Sequence, residues 1–455
     1  MREDNIRLFG TDGIRGKANA YPMTPETAVR AGRAVVHYFR RHGRTDRPKI
    51  VVGRDTRISG PMLAAAVMAG ICSMGGEAVD AGIIPTPGVA YLAARLDTAA
   101  GIVISASHNP YQDNGIKLFR GDGYKLSDEE EAALEALILD DDFQRTADAV
   151  LNTGHIQPMS DAARQYRHFL QQTFSLPSDC KMVKLVVDCS HGAASAIAPA
   201  LFESLGFAVT ALFNHPDGSN INAGCGSQHP EKMAEVVSKE EADLGLAFDG
   251  DGDRLIAVDE RGRILSGDQL LAIFAIHLSE NNRLKNETLV STVMSNIGLG
   301  IALKKGGIKH IICDVGDRYV VNAMLANSAV LGGENSGHII FHDCHTTGDG
   351  MLAALRLLEV ILSTGKSLSE LAGVMTVFPQ VLLNVPVQSK PDLYNIPKIK
   401  EIIDNIEKEL NSRGRVLVRY SGTQSLCRVM VEASTDEGAD RYAQRIACVV
   451  REELG

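Results

Sequence analysis

A chain of α/β sandwich domains closed by a smaller α+β domain is the fold predicted by three observations: the length, a strand–loop–helix plan used three times, and a change of rhythm after Ser369. At 455 residues the chain exceeds one ordinary core, and about 100–200 residues per domain gives three or four units with clefts between them. The repeated plan begins at Lys49-Ile50-Val51-Val52-Gly53-Arg54-Asp55, at Lys184-Leu185-Val186-Val187-Asp188-Cys189 and at Thr288-Leu289-Val290-Ser291-Thr292-Val293. Each copy runs from an apolar strand through a polar loop bearing Gly or Ser to a helical stretch, then glycine and another apolar run. In the second copy residues 198–205 read as helix, Gly206 as its stop and 207–210 as the next strand. This alternation argues for parallel or mixed sheets covered on both faces, with the chemistry on loops at the strand ends. After Ser369 the order becomes a strand at 381–385, a helix at 396–410, two strands around Ser421-Gly422-Thr423, and a closing helix at 439–453. With linker signals at 154–158 and at Gly262, the expected domains are 1–154, 155–258, 259–370 and 371–455. Ser127-Asp128-Glu129-Glu130 ahead of Ala132-Ala133-Leu134 reads as a capping box that opens a helix.

Composition narrows the partners. Hydrophobic residues at 45% and charged residues at 22% match an ordinary globular protein, so most of the chain should fold. Forty-six Lys and Arg against 56 Asp and Glu leave a net charge of -10, which argues against a nucleic-acid partner and requires a local basic pocket for any anionic ligand. Met1-Arg2-Glu3-Asp4 puts charge where a secretory leader needs an apolar stretch, and no run reaches transmembrane length. The expectation is a cytoplasmic protein with no membrane partner. Eight scattered cysteines without a C-x-x-C pair read as reduced thiols.

The sharpest constellation is Asp249-Gly250-Asp251-Gly252-Asp253-Arg254, set between the apolar runs 244–248 and 255–258. In an extended segment positions i, i+2 and i+4 share a side, and the glycines let the backbone bend until three carboxylates converge. Such crowding calls for a cation, and an all-oxygen set suits Mg²⁺ or Ca²⁺ rather than zinc; the plain alternative is a solvated acidic turn. An EF-hand also fits the spacing, with Glu260 twelfth from Asp249, but its sixth position demands Gly where Arg254 stands, and its flanks should be helices. A haloacid-type phosphatase would need Thr where Asp253 stands.

The buried-strand pattern Gly101-Ile102-Val103-Ile104 ends in Ser105-Ala106-Ser107-His108-Asn109-Pro110. Alone this is an ordinary turn, and local pattern does not choose between Ser105 and Ser107. Lys117 follows closely, a lysine whose pKa burial could lower for acid–base work. Hydroxyl, proton carrier and cation cluster are together what phosphoryl transfer needs. Arg419-Tyr420-Ser421-Gly422-Thr423, with Arg428 close behind, offers amides, hydroxyls and guanidinium forks to a phosphate, or forms a plain hairpin turn. Gly333-Glu334-Asn335-Ser336-Gly337-His338 could bind sugar hydroxyls or again be a turn. Phe9-Gly10-Thr11-Asp12-Gly13-Ile14-Arg15-Gly16 and Val315-Gly316-Asp317-Arg318-Tyr319 each place an arginine near glycine.

Taken in this order, the segments resemble the α-D-phosphohexomutase superfamily along nearly the whole chain. Ser105 where many members have Thr, and Asn335 where many have Met, make it most similar to the branch acting on glucosamine phosphates; the mannose and glucose phosphate mutases are the alternative. The resemblance implies four domains around a central cleft: a phosphoserine-bearing, a metal-binding and a sugar-recognition α/β domain, then a phosphate-binding α+β domain. It implies an isomerase that interconverts glucosamine 6-phosphate and glucosamine 1-phosphate through a 1,6-bisphosphate, feeding UDP-N-acetylglucosamine synthesis. Ser107 would carry the phosphoryl group, with one Mg²⁺ held by its phosphate and by Asp249, Asp251 and Asp253. His108 and Lys117 would handle the hydroxyl proton, and Arg15 and Arg254 would neutralise the transferring group. Asp317, Arg318, Glu334, Ser336 and His338 would bind substrate, while Arg419, Ser421, Gly422, Thr423 and Arg428 hold the phosphate that is not reacting. Glucosamine 1,6-bisphosphate or a similar compound would prime the serine. A phosphosugar is the implied partner, and a homodimer is an assembly the resemblance allows. Gln424-Ser425 departs from the Glu-Pro usual after the Ser-Gly-Thr triplet.

Overall fold

Three times along the chain a buried parallel strand turns back into an antiparallel neighbour, and each of these turns carries one of the loops singled out above. The computed structural model describes residues 8–10, 12–43, 45–146, 153–175, 182–411, 413–421 and 425–455. The chain separates into two units, Met1–Val293 with Ile308–Ala372, and Met294–Gly307 with Gly373–Gly455.

The first unit holds three sheets. A seven-stranded sheet, ordered β1-β2-β6-β5-β3-β4-β7, comprises β1 (Phe9–Gly10), β2 (Gly13–Lys17), β3 (Lys49–Arg54), β4 (Glu77–Ile83), β5 (Ala100–Ile104), β6 (Asp113–Arg120) and β7 (Ile156–Pro158). Strands β3, β4 and β5 are parallel, and β6 runs against β5. A five-stranded sheet, ordered β12-β11-β10-β8-β9, comprises β8 (Lys184–Asp188), β9 (Ala208–Leu212), β10 (Leu244–Phe248), β11 (Leu255–Asp259) and β12 (Ile264–Leu265). The third sheet, ordered β14-β13-β15-β16, comprises β13 (Thr288–Thr292), β14 (Lys309–Cys313), β15 (Leu331–Gly333) and β16 (Ile339–Phe341). In each sheet one strand is parallel on one side and antiparallel on the other: β5 between β3 and β6, β10 between β8 and β11, β15 between β13 and β16. Strands β5 and β10 are buried on both faces, which is why they read as unbroken apolar runs rather than alternating ones, while β13, equally buried, carries Thr288, Ser291 and Thr292.

The closing pairs Ile104↔Ile116, Phe248↔Leu255 and Gly333↔Ile339 fix where the backbone leaves each sheet, so the serine, acidic and Glu334–His338 loops occupy equivalent places. The helix Asp128–Leu139 opens with the expected capping box, Ser127 and Glu130 satisfying each other's amides.

Strand β7 lies beyond the expected break at 154 and adds to the edge of the first sheet, and β12 lies beyond 258 and belongs to the second. Residues 294–307, expected in the third domain, group with the second unit. In that unit β17 (Gln380–Pro386), β18 (Arg415–Tyr420) and β19 (Leu426–Glu432) form an antiparallel sheet ordered β17-β19-β18. The helices Pro397–Leu410 and Asp436–Leu454 bury Ile399, Ile403, Ile406, Ala443, Ile446 and Val450 in its core. Among the described residues no helix is long and apolar enough to cross a membrane.

Candidate active site

The serine loop spends its two hydroxyls differently. Ser105, just past β5, donates from Oγ to Asp55 Oδ2 at 2.6 Å and accepts the Ser107 amide at 3.0 Å, so its side chain is consumed in building the turn. That turn leaves Ser107 at φ +52°, a left-handed conformation that costs a non-glycine residue about 1–3 kcal/mol and persists only where its surroundings over-determine it. Ser107 Oγ points the other way, donating to Asp249 Oδ2 at 2.5 Å with His108 Nδ1 3.3 Å away. The geometry therefore presents Ser107, not Ser105, to the acidic loop.

Asp249, Asp251 and Asp253 are buried, and one carboxylate oxygen from each lies within 4.8 Å of the others. Gly250 has to be glycine, because a Cβ there would stand 2.6 Å from the Ser107 carbonyl and 2.7 Å from Asn222 Nδ2. Asp251 Oδ2 accepts from Thr86 Oγ1 at 2.5 Å and from Lys117 Nζ at 2.8 Å. Among the described residues Asp251 Oδ1 and Asp253 Oδ1 are buried without a hydrogen-bond partner, an arrangement that is costly unless a cation takes the lone pairs. Burial, then the Asp253 and Asp251 charges, push the Asp249 carboxyl well above its usual range. Burial acts in the same sense on Asp253, but Lys117, His338 and Arg254 outweigh it and hold that carboxyl well below. An all-oxygen donor set with excess negative charge and two orphaned oxygens fits a hard dication such as Mg²⁺. An EF-hand is excluded, because strands β10 and β11 flank the loop.

Lys117 on β6 corrects an expectation. It was expected to have its pKa lowered by burial; burial does oppose its charge, but Asp12 at 3.1 Å, Asp251 at 2.8 Å and Asp253 at 3.5 Å outweigh it and raise the pKa. Lys117 is a held cation. Replacing it with methionine takes from buried Asp251 the cation that pairs with it, and metal-free stability should fall by about 3 kcal/mol, read by denaturant unfolding.

His108 is the neutral partner. Burial, then Arg254 and Arg15, bring its pKa down to about 4. Arg15 on β2 contacts Asp12 at 2.5 Å, Arg254 Nε lies 3.8 Å from Asp253 Oδ1, and among the described residues both Nε atoms are buried without a hydrogen-bond partner.

The third loop reaches the same carboxylates. Gly337, at φ +88°, would set a Cβ 2.1 Å from the Leu255 carbonyl, so only glycine lets the two loops meet. His338 Nδ1 lies 3.7 Å from Asp253 Oδ1 and its Nε2 3.7 Å from Asp317 Oδ2; burial lowers its pKa, but these carboxylates and Glu334 raise it on balance. Glu334 Oε1 accepts the Gly316 amide at 3.2 Å, and among the described residues Ser336 Oγ is buried with no hydrogen-bond partner. Asp317 pairs with Lys125. Arg318 is turned elsewhere, ion-paired with Asp128 and Glu131 at the start of the helix Asp128–Leu139.

The second unit has its own anion-directed group. Arg419 and Arg428 stand directly opposite each other on β18 and β19, a like-charge pairing unfavourable by itself that an anion would relieve. Lys390 Nζ donates to the Ser421 carbonyl at 2.7 Å, and among the described residues Arg428 Nε is buried without a hydrogen-bond partner. Gly422 and Thr423, and the departure at Gln424, lie outside the described residues.

The first unit thus brings Arg15, Ser107, His108, Lys117, the three aspartates, Arg254 and His338 into one charged cluster. Sequence reasoning missed Asp12, Asp55, Arg57, Thr86, Lys125, Asn222 and Lys390. Asp55-Thr56-Arg57 did carry a signal, an acid and an arginine just past a buried strand.

Comparison with known proteins matches the chain to four domain families of phosphoglucomutase/phosphomannomutase: alpha/beta/alpha domain I over residues 6–145, domain II over 164–262, domain III over 266–378 and the C-terminal domain over 382–449. A phosphoglucosamine mutase of Syntrophus aciditrophicus is 52% identical over 449 residues, 99% of this chain and 100% of the relative. That of Syntrophobacter fumaroxidans is 50% identical over 448 residues, 98% of this chain and 99% of the relative. Among solved structures, a phosphoglucomutase/phosphomannomutase family protein of Burkholderia thailandensis superposes with a TM-score of 0.80 at 26% identity, covering 98% of each chain.

Proposed function

The chain belongs to the phosphoglucosamine mutase family of the α-D-phosphohexomutases, and from that membership we propose that it interconverts glucosamine 6-phosphate and glucosamine 1-phosphate in the cytoplasm by passing a phosphoryl group through Ser107. The observation that carries this reading is Ser107 Oγ, held 2.5 Å from Asp249 beside two buried carboxylate oxygens without a hydrogen bond among the described residues.

In the first half-reaction the bond from Ser107 Oγ to phosphorus breaks and a bond from phosphorus to the sugar O1 forms, giving glucosamine 1,6-bisphosphate. In the second, Ser107 Oγ attacks the 6-phosphate, releasing glucosamine 1-phosphate and regenerating the phosphoserine. His108, neutral above about pH 4 and 3.3 Å from Oγ, takes the proton of the attacking hydroxyl in each half-reaction, O1–H in the first and Ser107 Oγ–H in the second, and returns it to the departing oxygen, Ser107 Oγ in the first and O6 in the second. Lys117, kept charged by its three carboxylates, serves as fixed positive charge rather than as base. Arg15 and Arg254 neutralise the transferring group. Asp249, Asp251 and Asp253 would hold Mg²⁺, whose charge offsets that on the phosphoryl oxygens. Glu334, Ser336 and His338 bind the sugar, with Asp317 beside His338. Arg318 is assigned the weakest share, because its guanidinium is engaged with Asp128 and Glu131. The phosphate that is not reacting is assigned to Arg419, Ser421, Gly422, Thr423 and Arg428.

Rates with glucosamine, glucose and mannose 6-phosphates test the reading, with glucosamine 6-phosphate expected to give the highest kcat/KM. A preference for mannose or glucose 6-phosphate would move the chain to the other branch, and continuous release of inorganic phosphate would make it a phosphatase. Arg419→Ala and Arg428→Ala should each raise KM by about tenfold or more while changing kcat little, because each removes a charge-assisted bond to an ester that does not react. Lys117→Met should instead lower kcat by about 10²–10⁴-fold.

A further inference from the structure

Two side chains grip the backbone that carries Ser107. Arg57, just past β3, is fully buried, and Asp55 fixes it: Asp55 Oδ2 accepts its Nε at 2.8 Å and Asp55 Oδ1 its backbone amide at 2.9 Å. The far end of the guanidinium donates to three carbonyls of the serine loop, Nη2 to Ser107 at 2.9 Å and Asn109 at 2.8 Å, and Nη1 to Pro110 at 2.5 Å. Asn222 arrives from the loop after β9 in the second sheet. Its Nδ2 donates to the same two carbonyls, Ser107 at 2.9 Å and Asn109 at 3.0 Å, while its own amide is held by the Ser190 carbonyl at 2.9 Å. Donors from two sheets therefore converge on two carbonyls, with no room for a Cβ at Gly250 between them and the acidic loop.

We propose that Arg57 and Asn222 are positioning residues for phosphoryl transfer, a two-sided clamp that fixes the Ser107 carbonyl and thereby the place of Oγ against the carboxylates. The proposal rests on the mutase reading above. A serine that is phosphorylated in one half-reaction and attacks in the other needs the same Oγ position in both, and its left-handed backbone persists only while it is held. Arg57 links the loop to the first sheet and Asn222 to the second, so the clamp also fixes the serine loop relative to Asp249 in β10–β11.

The test uses Asn222→Ala, Arg57→Lys and the double variant in the full chain. Readouts are kcat and KM for glucosamine 6-phosphate, the thermal midpoint, and amide hydrogen exchange over residues 104–112. Asn222→Ala should unfold cooperatively, lose about 10- to 100-fold in kcat with KM little changed, and exchange faster over 104–112. The double variant should lose less than the product of the two single effects, because both side chains hold the same carbonyls. Arg57→Lys keeps the charge but cannot span three carbonyls; if it fails to fold, Asn222→Ala alone decides. Unchanged kcat and exchange in Asn222→Ala would overturn the clamp, and so would a loss of kcat accompanied by global unfolding without faster local exchange. If the parent protein turns over no phosphosugar, the mutase reading fails, and exchange alone judges the clamp: faster over 104–112 supports it, unchanged refutes it.

Discussion

Ser107→Ala is expected to lower kcat for glucosamine phosphate interconversion by about 10⁴-fold or more, because no neighbouring group can replace a nucleophile that must carry the phosphoryl group covalently. The fold should survive, since the loop's carbonyls are held by Arg57 and Asn222 and its turn by Ser105, none of which uses Ser107 Oγ. Ser105→Ala makes the matched control. It removes the acceptor of the Ser107 amide and the donor to Asp55, so it should cost about 1–3 kcal/mol of stability and yet retain turnover. If Ser105→Ala abolished turnover and Ser107→Ala preserved it, the assignment of the two serines would be reversed.

Removing divalent cations is expected to abolish turnover, and Mg²⁺ to restore it. The thermal response should depend on pH in a definite direction. Without metal the Asp249 carboxyl stands well above its unfolded value, so above the ordinary carboxylate range folding takes up a proton, and this group's contribution to stability declines as pH rises toward its folded pKa. A cation displaces that proton, so Mg²⁺ uptake strengthens over the same range. The rise in thermal midpoint on adding Mg²⁺ should therefore grow from acid toward neutral pH. Asp249→Asn spares the fold the uptake of that proton; it should raise the metal-free midpoint near neutral pH, abolish the Mg²⁺ response and abolish turnover. A Mg²⁺ response that is constant with pH and intact in Asp249→Asn would place the cation elsewhere.

The parts of the molecule legible in the sequence are those fixed by local pattern. Doubly buried β3 and β8 announce themselves as the apolar runs Ile50-Val51-Val52 and Leu185-Val186-Val187. The helices Pro397–Leu410 and Asp436–Leu454 bury regular stripes, and the acidic triplet needs only alternate spacing and glycines to converge. What stayed hidden depends on distant partners. The charge state of Lys117 is decided by Asp12, in the β1–β2 turn far back along the chain, and by Asp251 and Asp253 in the loop between two strands of another sheet, so burial alone pointed the wrong way. Asn222 and Thr86 carry no motif; their roles exist only where two sheets meet. Arg318, adjacent in sequence to Asp317, is drawn away by two carboxylates on the Asp128–Leu139 helix. The short strands β7 and β12, of three and two residues, fall below any periodic signal, and both lie across the expected domain limits.

The central claim is that the phosphoryl group resides on Ser107 between half-reactions. Its most direct test is intact-mass analysis of the purified protein before and after glucosamine 1,6-bisphosphate, with fragmentation to locate the added group. One phosphoryl group on Ser107, removed by excess glucosamine 6-phosphate, is the predicted result; a group on Ser105, or none on either serine while turnover proceeds, would contradict it.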